Sequence, residues 1–134
     1  MKVFIDANIM MYAAGVEHPH KEASIQLMRQ ISSGAIEAVS NAEVLQELLY
    51  RYSKLRLIQE GVALVQQTVQ TIMSILPVAR LDVMVASELL TKHPQIEARD
   101  AVHAAIMFNH GVTHLYSYDR HFDAIPGLTR LEPK

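Results

Sequence analysis

The chain has 134 residues, half of them hydrophobic, with a formal net charge of -2 and no cysteine. This length fits one compact domain spanning residues 1–134 and excludes two domains of ordinary size, while the lack of cysteine excludes a disulfide framework and thiolate metal ligands. No apolar run approaches the roughly 18 to 20 residues of a membrane helix and no secretory signal is visible, so we expect a soluble, cytoplasmic protein whose small negative charge gives no general attraction to nucleic acid.

Strand-like apolar segments alternate with amphipathic helical segments along the chain. Strands are predicted at residues 2–5, 35–39, 75–78, 113–117 and 128–131. Helices are predicted at residues 9–14, 20–32, 40–52, 62–73, 82–92 and 98–109. Because parallel neighbours need crossover connections that are usually helical, this alternation indicates an α/β fold, a three-layer α/β/α sandwich around a mainly parallel sheet.

Three local signals refine these boundaries. The S-x-x-E sequence from Ser40 to Glu43 has the form of a capping box, which starts a helix at Ser40 and gives Glu43 a structural role. A weaker break between Arg56 and Gly61 separates this helix from the next one. Pro77 suits a strand at the edge of the sheet, because proline has no N–H to donate to a neighbouring strand.

Two aspartates directly follow predicted strands. Asp6 comes after the first strand, and Asp119 comes after the strand at 113–117. In open α/β sheets, ligands bind in the crevice outside the carboxyl ends of the strands, so both carboxylates stand where a site would form. The alternative is that each aspartate only caps the helical turn that follows it, since Asp is a favoured N-cap residue.

Further acids lie in or near helices. Glu47 stands in the apolar run Val44-Leu45-Gln46-Glu47-Leu48-Leu49, where a buried carboxylate needs compensation; the alternative is a surface pair with Arg51, four residues on. Asp100 begins an alanine-rich helix that can pack close to the sheet, although an acid in a first helical turn also complements the helix dipole. Asp123 is either a fifth member of this group or a surface residue.

Four of these acids predict one pocket: Asp6, Glu47, Asp100 and Asp119. Four carboxylates within a few ångströms cannot all ionise unaided, because like charges raise each other's pKa, and a divalent cation resolves that conflict. Oxygen ligands without cysteine, and without a histidine pair at HExxH spacing, favour Mg²⁺ or Mn²⁺ over zinc. Mg²⁺ is commonly held by carboxylates together with substrate phosphate oxygens, which indicates phosphoryl chemistry.

Four segments, in this order, carry a family resemblance. They are Phe4-Ile5-Asp6-Ala7-Asn8, Val44-Leu45-Gln46-Glu47-Leu48, Arg99-Asp100-Ala101-Val102-His103-Ala104-Ala105, and Ser117-Tyr118-Asp119-Arg120-His121-Phe122-Asp123 followed by Pro126-Gly127-Leu128. The ordered set spans nearly the whole chain and strongly resembles the PIN-domain ribonucleases, including the toxin half of VapBC-type toxin–antitoxin pairs. The resemblance implies a five-stranded parallel sheet, Mg²⁺- or Mn²⁺-dependent cleavage of RNA, frequent dimerisation and an antitoxin protein as partner.

The same resemblance assigns roles to individual residues. It implies that Asp6, Glu47, Asp100 and Asp119 form the catalytic and metal-binding quartet, with Asp123 near it as a further metal ligand. Asn8 stands where the family often has a small polar residue that supports the first aspartate, and Ser117 where a Thr or Ser precedes the last acid by two positions. The implied reaction is hydrolysis in which the quartet holds one or two ions that activate water and stabilise the leaving oxygen.

Basic residues near the acids are candidate phosphate contacts, or else parts of a solvated helix face: Arg51, Lys54, Arg56, Arg99 and Arg120. Without the four quartet carboxylates, the net charge of -2 becomes +2, so a metal-loaded protein need not repel RNA. His103 lies on the helix face of Asp100, and we expect it to be a hydrogen-bonded structural histidine.

Other functions remain open at this point. The chain could keep the PIN fold as a silent RNA- or protein-binding module, although an inactive copy has no reason to retain a self-repelling group of acids. It could also process RNA without an antitoxin. A response-regulator receiver fits less well, because it would show paired acids early, an acceptor Asp after the third strand and a late Lys. A haloacid-dehalogenase-like phosphatase fits less well, because Asp6 is followed by Ala7-Asn8 and not by the second acid of a D-x-D motif.

Overall fold

The computed structural model describes all residues from 1 to 134 and contains five strands and six α-helices. The strands are β1 (Lys2–Ile5), β2 (Glu37–Asn41), β3 (Ser74–Leu76), β4 (His114–Tyr116) and β5 (Thr129–Leu131). The helices are α1 (Ala7–Ala14), α2 (Lys21–Ser32), α3 (Ala42–Lys54), α4 (Ile58–Thr71), α5 (Arg80–Lys92) and α6 (Ala98–Asn109), and a short 3-10 helix (Arg120–Ala124) precedes β5.

The five strands form one sheet in the order β3-β2-β1-β4-β5, and every pair is parallel. β1 is central, with Phe4 opposite both Val39 of β2 and Leu115 of β4. The chain builds outward from β1 to β3 on one side and then returns to add β4 and β5 on the other. This reversal puts a topological switch point between β1 and β4, and it confirms the predicted α/β/α fold with a five-stranded parallel sheet.

Helix and strand packing follows from the apolar faces of the elements. Phe4 and Leu115 of the sheet and Leu48 of α3 have no exposed surface, and they belong to one continuous hydrophobic core. In α6, the alanines predicted to allow close packing are fully buried, among them Ala101 and Ala104. None of the six helices has both the length and the hydropathy needed to cross a bilayer.

The predicted capping box at Ser40 is wrong, because β2 continues to Asn41. Asn41 is the N-cap of α3, and its Oδ1 accepts a hydrogen bond of 2.9 Å from the N–H of Val44. Ser40 is buried in the strand, and its hydroxyl donates to the carbonyl of Ile5 at 2.9 Å. Glu43 consequently falls one position before the N3 place that a capping box requires.

The connection between α3 and α4 is shorter than predicted. Arg56 marks the turn with a positive φ of 59°, and α4 already begins at Ile58. Gly61 lies inside α4, where a Cβ would come within 2.6 Å of the Tyr52 Cβ. Gly61 therefore permits the close approach of α3 and α4 instead of ending a helix.

Candidate active site

The four predicted acids lie in two neighbouring groups outside the carboxyl ends of β1 and β4. Side-chain atoms of Asp6 and Glu47 lie within 4.8 Å of each other and of His103. Side-chain atoms of Asp100 and Asp119 lie equally close to each other and to His121. The charges of Asp119 and Asp6 both act on Asp100, so the two groups form one electrostatic unit.

Asp6 is held in place from three directions. Its Oδ1 accepts a hydrogen bond of 2.8 Å from the N–H of Ala7, so the predicted N-cap role exists alongside the site. Its Oδ2 accepts hydrogen bonds from the Ser117 hydroxyl at 2.6 Å and from the Asn8 amide at 3.3 Å. Burial raises the pKa of this carboxyl, and the neighbouring His103 and the Ser117 hydroxyl offset only part of that effect.

Asn8 and Ser117 connect the end of β1 with the loop after β4. The Asn8 amide also donates to the Ser117 hydroxyl at 3.2 Å, and its carbonyl oxygen accepts from the N–H of Tyr118 at 3.3 Å. The hydroxyl of Ser117 accepts from the N–H of Asp119 at 3.0 Å. These contacts fix the positions of Asp6 and Asp119 relative to each other.

Glu47 reaches the site from the second turn of α3. Its Oε1 lies 3.9 Å from the Arg99 Nε and 4.0 Å from the His103 Nε2. Burial alone would raise the pKa of Glu47, but the neighbouring His103 and the charges of Arg99 and Arg51 outweigh it, and the pKa lies below its usual value. The ion-pair partner is thus Arg99 and not Arg51, whose charge acts on Glu47 only from a longer distance.

Asp100 is the acid whose environment is least compensated. It is buried in the first turn of α6, and its Oδ2 has no hydrogen-bond partner. Burial, followed by repulsion from Asp119 and Asp6, raises its pKa to about 7. A buried carboxylate oxygen without a partner is costly, and an oxygen-seeking cation would satisfy it.

Asp119 lies in the pocket and also caps a helical turn, and its sequence position allowed both placements. Its Oδ1 accepts a hydrogen bond of 2.9 Å from the N–H of His121, so it is the N-cap of the 3-10 helix. The Nδ1 of the His121 ring also lies 3.2 Å from this oxygen. The side chain stays partly exposed at the mouth of the pocket, in contrast with Asp100.

The structure does not bring Asp123 into either acidic group. Its carboxylate accepts two hydrogen bonds from Arg130, at 3.0 and 3.3 Å, and the side chain is 55% exposed. Arg130 also donates to Glu132 and to the carbonyl of Ser117 at 3.0 Å. Arg130 therefore ties β5 to the loop that carries Asp119, with Asp123 on its outer side.

His103 and Asn41 lie behind the acids, and Asn41 was not recognised from the sequence. His103 is completely buried, and its Nδ1 lies 2.9 Å from the Asn41 Nδ2, in agreement with the predicted hydrogen-bonded histidine. Its Nε2 points to the acids, 3.8 Å from the Asp6 Oδ1, and has no hydrogen-bond partner. The spacing of three residues between Asp100 and His103 was the available sequence signal for this placement.

Each of the two groups in the pocket contributes two carboxylates and one histidine, and one carboxylate, that of Asp100, has a buried oxygen without a partner. This chemistry fits a hard divalent cation, which takes oxygen ligands and relieves the repulsion among the acids. Together, the parallel sheet and the acidic pocket at its switch point define the class of α/β proteins that bind their ligands at the carboxyl edge of the sheet.

The family within this class follows from sequence comparison. The family model of the PIN domain matches residues 3–128. The chain belongs to the PIN-domain family, and the resemblance stated from the four sequence segments is confirmed.

Individual relatives are similar along their full length. Ribonuclease VapC13 of Mycobacterium tuberculosis is 37% identical over 129 residues, which cover 96% of this chain and 98% of that protein. The crystal structure of VapC20 from the same organism, described as a toxin that cleaves the sarcin-ricin loop, aligns with a TM-score of 0.80 at 20% identity and covers 98% of this chain and 99% of that one. VapBC2 of Rickettsia felis, bound to a DNA fragment from its promoter, aligns with a TM-score of 0.78 at 19% identity over all of both chains.

Proposed function

We propose that this protein is a divalent-metal-dependent endoribonuclease that hydrolyses RNA phosphodiester bonds, and that it is the toxin of a type II toxin–antitoxin pair. The observation that carries the proposal is the convergence of Asp6, Glu47, Asp100 and Asp119 at the switch point, with a buried oxygen of Asp100 left without a partner. Membership of the PIN family and the similarity to proteins named ribonucleases support the RNA substrate.

The quartet carboxylates are the proposed ligands for Mg²⁺ or Mn²⁺. When bound by carboxylates, such an ion supplies activation of water and stabilisation of charge on the leaving oxygen. Ser117 and Asn8 orient Asp6 for this task through hydrogen bonds of 2.6 and 3.3 Å. Asp100 holds a proton over part of the neutral range, because its pKa is about 7, and it must release that proton to become a ligand.

RNA binding needs cations and stacking surfaces close to the acids. A cavity of about 1160 Å³ is lined by Asn8, by the aromatic rings of Tyr12 and Tyr50, and by the basic side chains of Arg51 and Lys54. Basic groups contact phosphates, and aromatic rings stack on unpaired bases. Asn8 also contacts Asp6, so this cavity adjoins the acids and supports the path of a single RNA strand.

The proposed protein partners are an antitoxin and a second copy of the chain. The antitoxin proposal is supported by the structural relatives, which include the VapBC2 structure from Rickettsia felis and a DNA-bound VapBC from Salmonella typhimurium. A homodimer is supported by apolar side chains on the outer surface of α5, where Leu81 is 63% and Met84 60% exposed. Light scattering of the purified protein, alone and with the product of a neighbouring small gene, tests both assemblies.

The catalytic proposal is tested by RNA cleavage with Mg²⁺ or Mn²⁺, with and without EDTA. The variants are Asp6→Asn and Asp100→Asn, and Asp6→Asn is a suitable change because asparagine caps a helix as well as aspartate does. Asp123→Asn is the matched control, since Asp123 lies outside both acidic groups. We expect cleavage to require metal and to be lost in both site variants but kept in the control; undiminished metal-dependent cleavage in both site variants would remove the assignment.

A further inference from the structure

We propose that His103 is a positioning residue that presents its Nε2–H to Asp6 and Glu47, and that Asn41 holds His103 in this tautomer. The consequence for catalysis rests on the proposed nuclease function, whereas the tautomer itself can be measured without any RNA. The proposal also means that His103 is no metal ligand, although it lies within 4.8 Å of both carboxylates.

The orientation of the Asn41 amide follows from its helix-capping bond. The N–H of Val44 can only donate, so the Asn41 atom 2.9 Å from it must be the carbonyl oxygen. The amide nitrogen of Asn41 is then the atom that faces the His103 Nδ1, at 2.9 Å. Asn41 has no exposed surface, so no exchange with bulk water competes with these two bonds.

The tautomer of His103 follows from that orientation. An amide NH₂ has donors and no acceptor, so the Nδ1 of His103 must accept the hydrogen bond. In the neutral imidazole the ring proton is then carried by Nε2. A half-turn of the ring would put Cδ2 in place of Nδ1 and lose the bond to Asn41, and complete burial beside the Phe4 ring, with 5.3 Å between the centroids, disfavours it.

The Nε2–H points between the side chains of Asp6 and Glu47. It lies 3.8 Å from the Asp6 Oδ1 and 4.0 Å from the Glu47 Oε1, and it has no hydrogen-bond partner. These distances exceed a direct hydrogen bond, but a buried N–H dipole at this range still favours negative charge on both carboxylates. His103 thereby lowers the cost of placing Asp6 and Glu47 side by side.

A protonated Nε2 has no lone pair to give to a metal ion. The group formed by Asp6, Glu47 and His103 is therefore a pair of oxygen ligands with a donor behind them, and not a mixed site of oxygen and nitrogen. Imidazole nitrogen suits zinc and nickel, whereas sites made only of carboxylates suit Mg²⁺ and Mn²⁺. The bond between Asn41 and His103 thus leaves the group of Asp6, Glu47 and His103 with oxygen ligands only, which favours a hard cation there.

The substitution Asn41→Asp replaces the amide donor that faces the His103 Nδ1 by an acceptor, with little change in side-chain shape. An aspartate at position 41 still caps α3 by accepting from the N–H of Val44, because Asp and Asn are equally good N-caps. It offers the His103 Nδ1 only acceptors, so the ring must carry a proton on Nδ1. In the neutral ring, the lone pair of Nε2 then becomes available on the side of Asp6 and Glu47.

The first experiment is long-range ¹H–¹⁵N NMR of the histidine side chains, recorded without metal and with Mg²⁺. His103→Gln and His110→Gln assign the two ring signals. His110 serves as a reference for the other tautomer. Its Nδ1 lies 2.9 Å from the carbonyl oxygen of Ile106, which can only accept, so Nδ1 must carry the proton. In the parent protein, we expect His103 to carry its proton on Nε2 both without metal and with Mg²⁺. In the Asn41→Asp variant, we expect a proton on Nδ1. A proton on Nδ1 in the parent, or loss of the Nε2 proton when Mg²⁺ binds, would overturn the proposal.

The second experiment measures metal preference by thermal unfolding in titrations with Mg²⁺ and with Zn²⁺. The variants are His103→Leu, which removes the donor, and His103→Gln, which retains an N–H donor. His110→Gln, directly after the last residue of the same helix, is the control. We expect His103→Leu to raise the half-saturating Mg²⁺ concentration by about tenfold, the usual scale for a residue that supports metal ligands. We expect His103→Gln to restore much of this loss, and Asn41→Asp to shift the preference toward Zn²⁺ by a similar factor.

The outcomes of the two experiments separate this proposal from the nuclease proposal. Equal Mg²⁺ affinity in His103→Leu and the parent counts against the positioning role, and so does an unchanged preference between Mg²⁺ and Zn²⁺ in Asn41→Asp. If His103→Leu does not fold, the metal affinities of His103→Gln and Asn41→Asp still test the positioning role, and the NMR signals still test the tautomer. A confirmed Nε2–H tautomer in a protein that cleaves no RNA would refute the nuclease function and leave the tautomer assignment standing.

Discussion

The carboxylate of Asp6 accepts a hydrogen bond of 2.6 Å from the hydroxyl of Ser117, a residue 111 positions later in the chain. This bond joins the end of β1 to the end of β4, the two strands that flank the switch point. The same hydroxyl accepts from the N–H of Asp119, so one small side chain orients an acid on each strand. Several measurable consequences follow from the arrangement around this bond.

Replacing Ser117 with alanine should weaken both the fold and the site. The substitution leaves the buried Asp6 Oδ2 with only the longer bond from Asn8, and it removes the acceptor of the Asp119 N–H. We expect the free energy of unfolding to fall by about 1 to 3 kcal/mol and RNA cleavage to fall by about tenfold or more. Urea denaturation and cleavage assays measure these effects.

Two serine variants provide the comparison for Ser117→Ala. Ser117→Thr keeps the hydroxyl and should retain most of the activity. Ser87→Ala removes an exposed hydroxyl on α5 that bonds only to the carbonyl of Val83 within its own helix, and it should change neither property appreciably. An equal loss of cleavage in Ser87→Ala and Ser117→Ala would show that the bond to Asp6 has no special role.

The raised pKa of Asp100 should make the metal-free protein less stable as the pH rises. The folded-state pKa of about 7 lies above the unfolded value, so the protonated carboxyl stabilises the fold fully below about pH 4. That contribution is lost as the pH increases through about 7. We expect the free energy of unfolding in EDTA to fall more steeply between about pH 5 and 8 in the parent than in Asp100→Asn. Parallel curves for the two proteins would contradict the raised pKa.

Divalent metal should raise the melting temperature of the parent protein. A ligand that binds only the folded state at 100 times its Kd stabilises that state by about 2.7 kcal/mol. We expect a clear increase at millimolar Mg²⁺ or Mn²⁺ and a much smaller one in Asp100→Asn, which replaces the buried carboxylate by an uncharged amide. The shift should also grow with pH around neutrality, since binding requires an ionised Asp100. No shift at millimolar metal would argue against a formed site.

Asp123→Asn should leave cleavage and metal binding intact. The carboxylate of Asp123 pairs with Arg130 and is more than half exposed, so the lost ion pair should cost less than about 1 kcal/mol of stability. Cleavage rates and metal titrations of this variant are to be compared with those of Asp119→Asn. Asp119 is four positions earlier in the chain and lies in the pocket. Loss of cleavage in both variants to the same degree would place Asp123 among the functional acids.

The sequence predicted those features that depend on local pattern and on the geometry of parallel sheets. Alternating strands and helices defined the fold, and acids that directly follow strands had to meet at one edge of the sheet, as Asp6 and Asp119 do. The helix from Ala98 to Asn109 was predicted with its observed boundaries, because a run of small and apolar residues ends at His110-Gly111.

Features that depend on contacts between distant residues were not predictable. Whether Ser40 or Asn41 caps α3 is decided by how far β2 pairs with β3, where Asn41 still lies opposite Leu76. The alternative considered for Glu47 was a surface pair with Arg51, four residues on, but Arg99 from α6 lies closer. The contact between Asn41 and His103 joins residues 62 positions apart, and neither residue carries a local signal for it.

The common direction of the five strands separates the two ends of the polypeptide. Met1 precedes β1 and lies at the amino edge of the sheet, whereas the residues after β5 leave from the carboxyl edge, where Asp6 and Asp119 lie. A fluorescent label or affinity tag fused after Lys134 would start from the same edge of the sheet as the pocket and could compete with a long nucleic acid for space. The same fusion placed before Met1 starts from the far side of the molecule, which makes it the better choice for measuring RNA affinity.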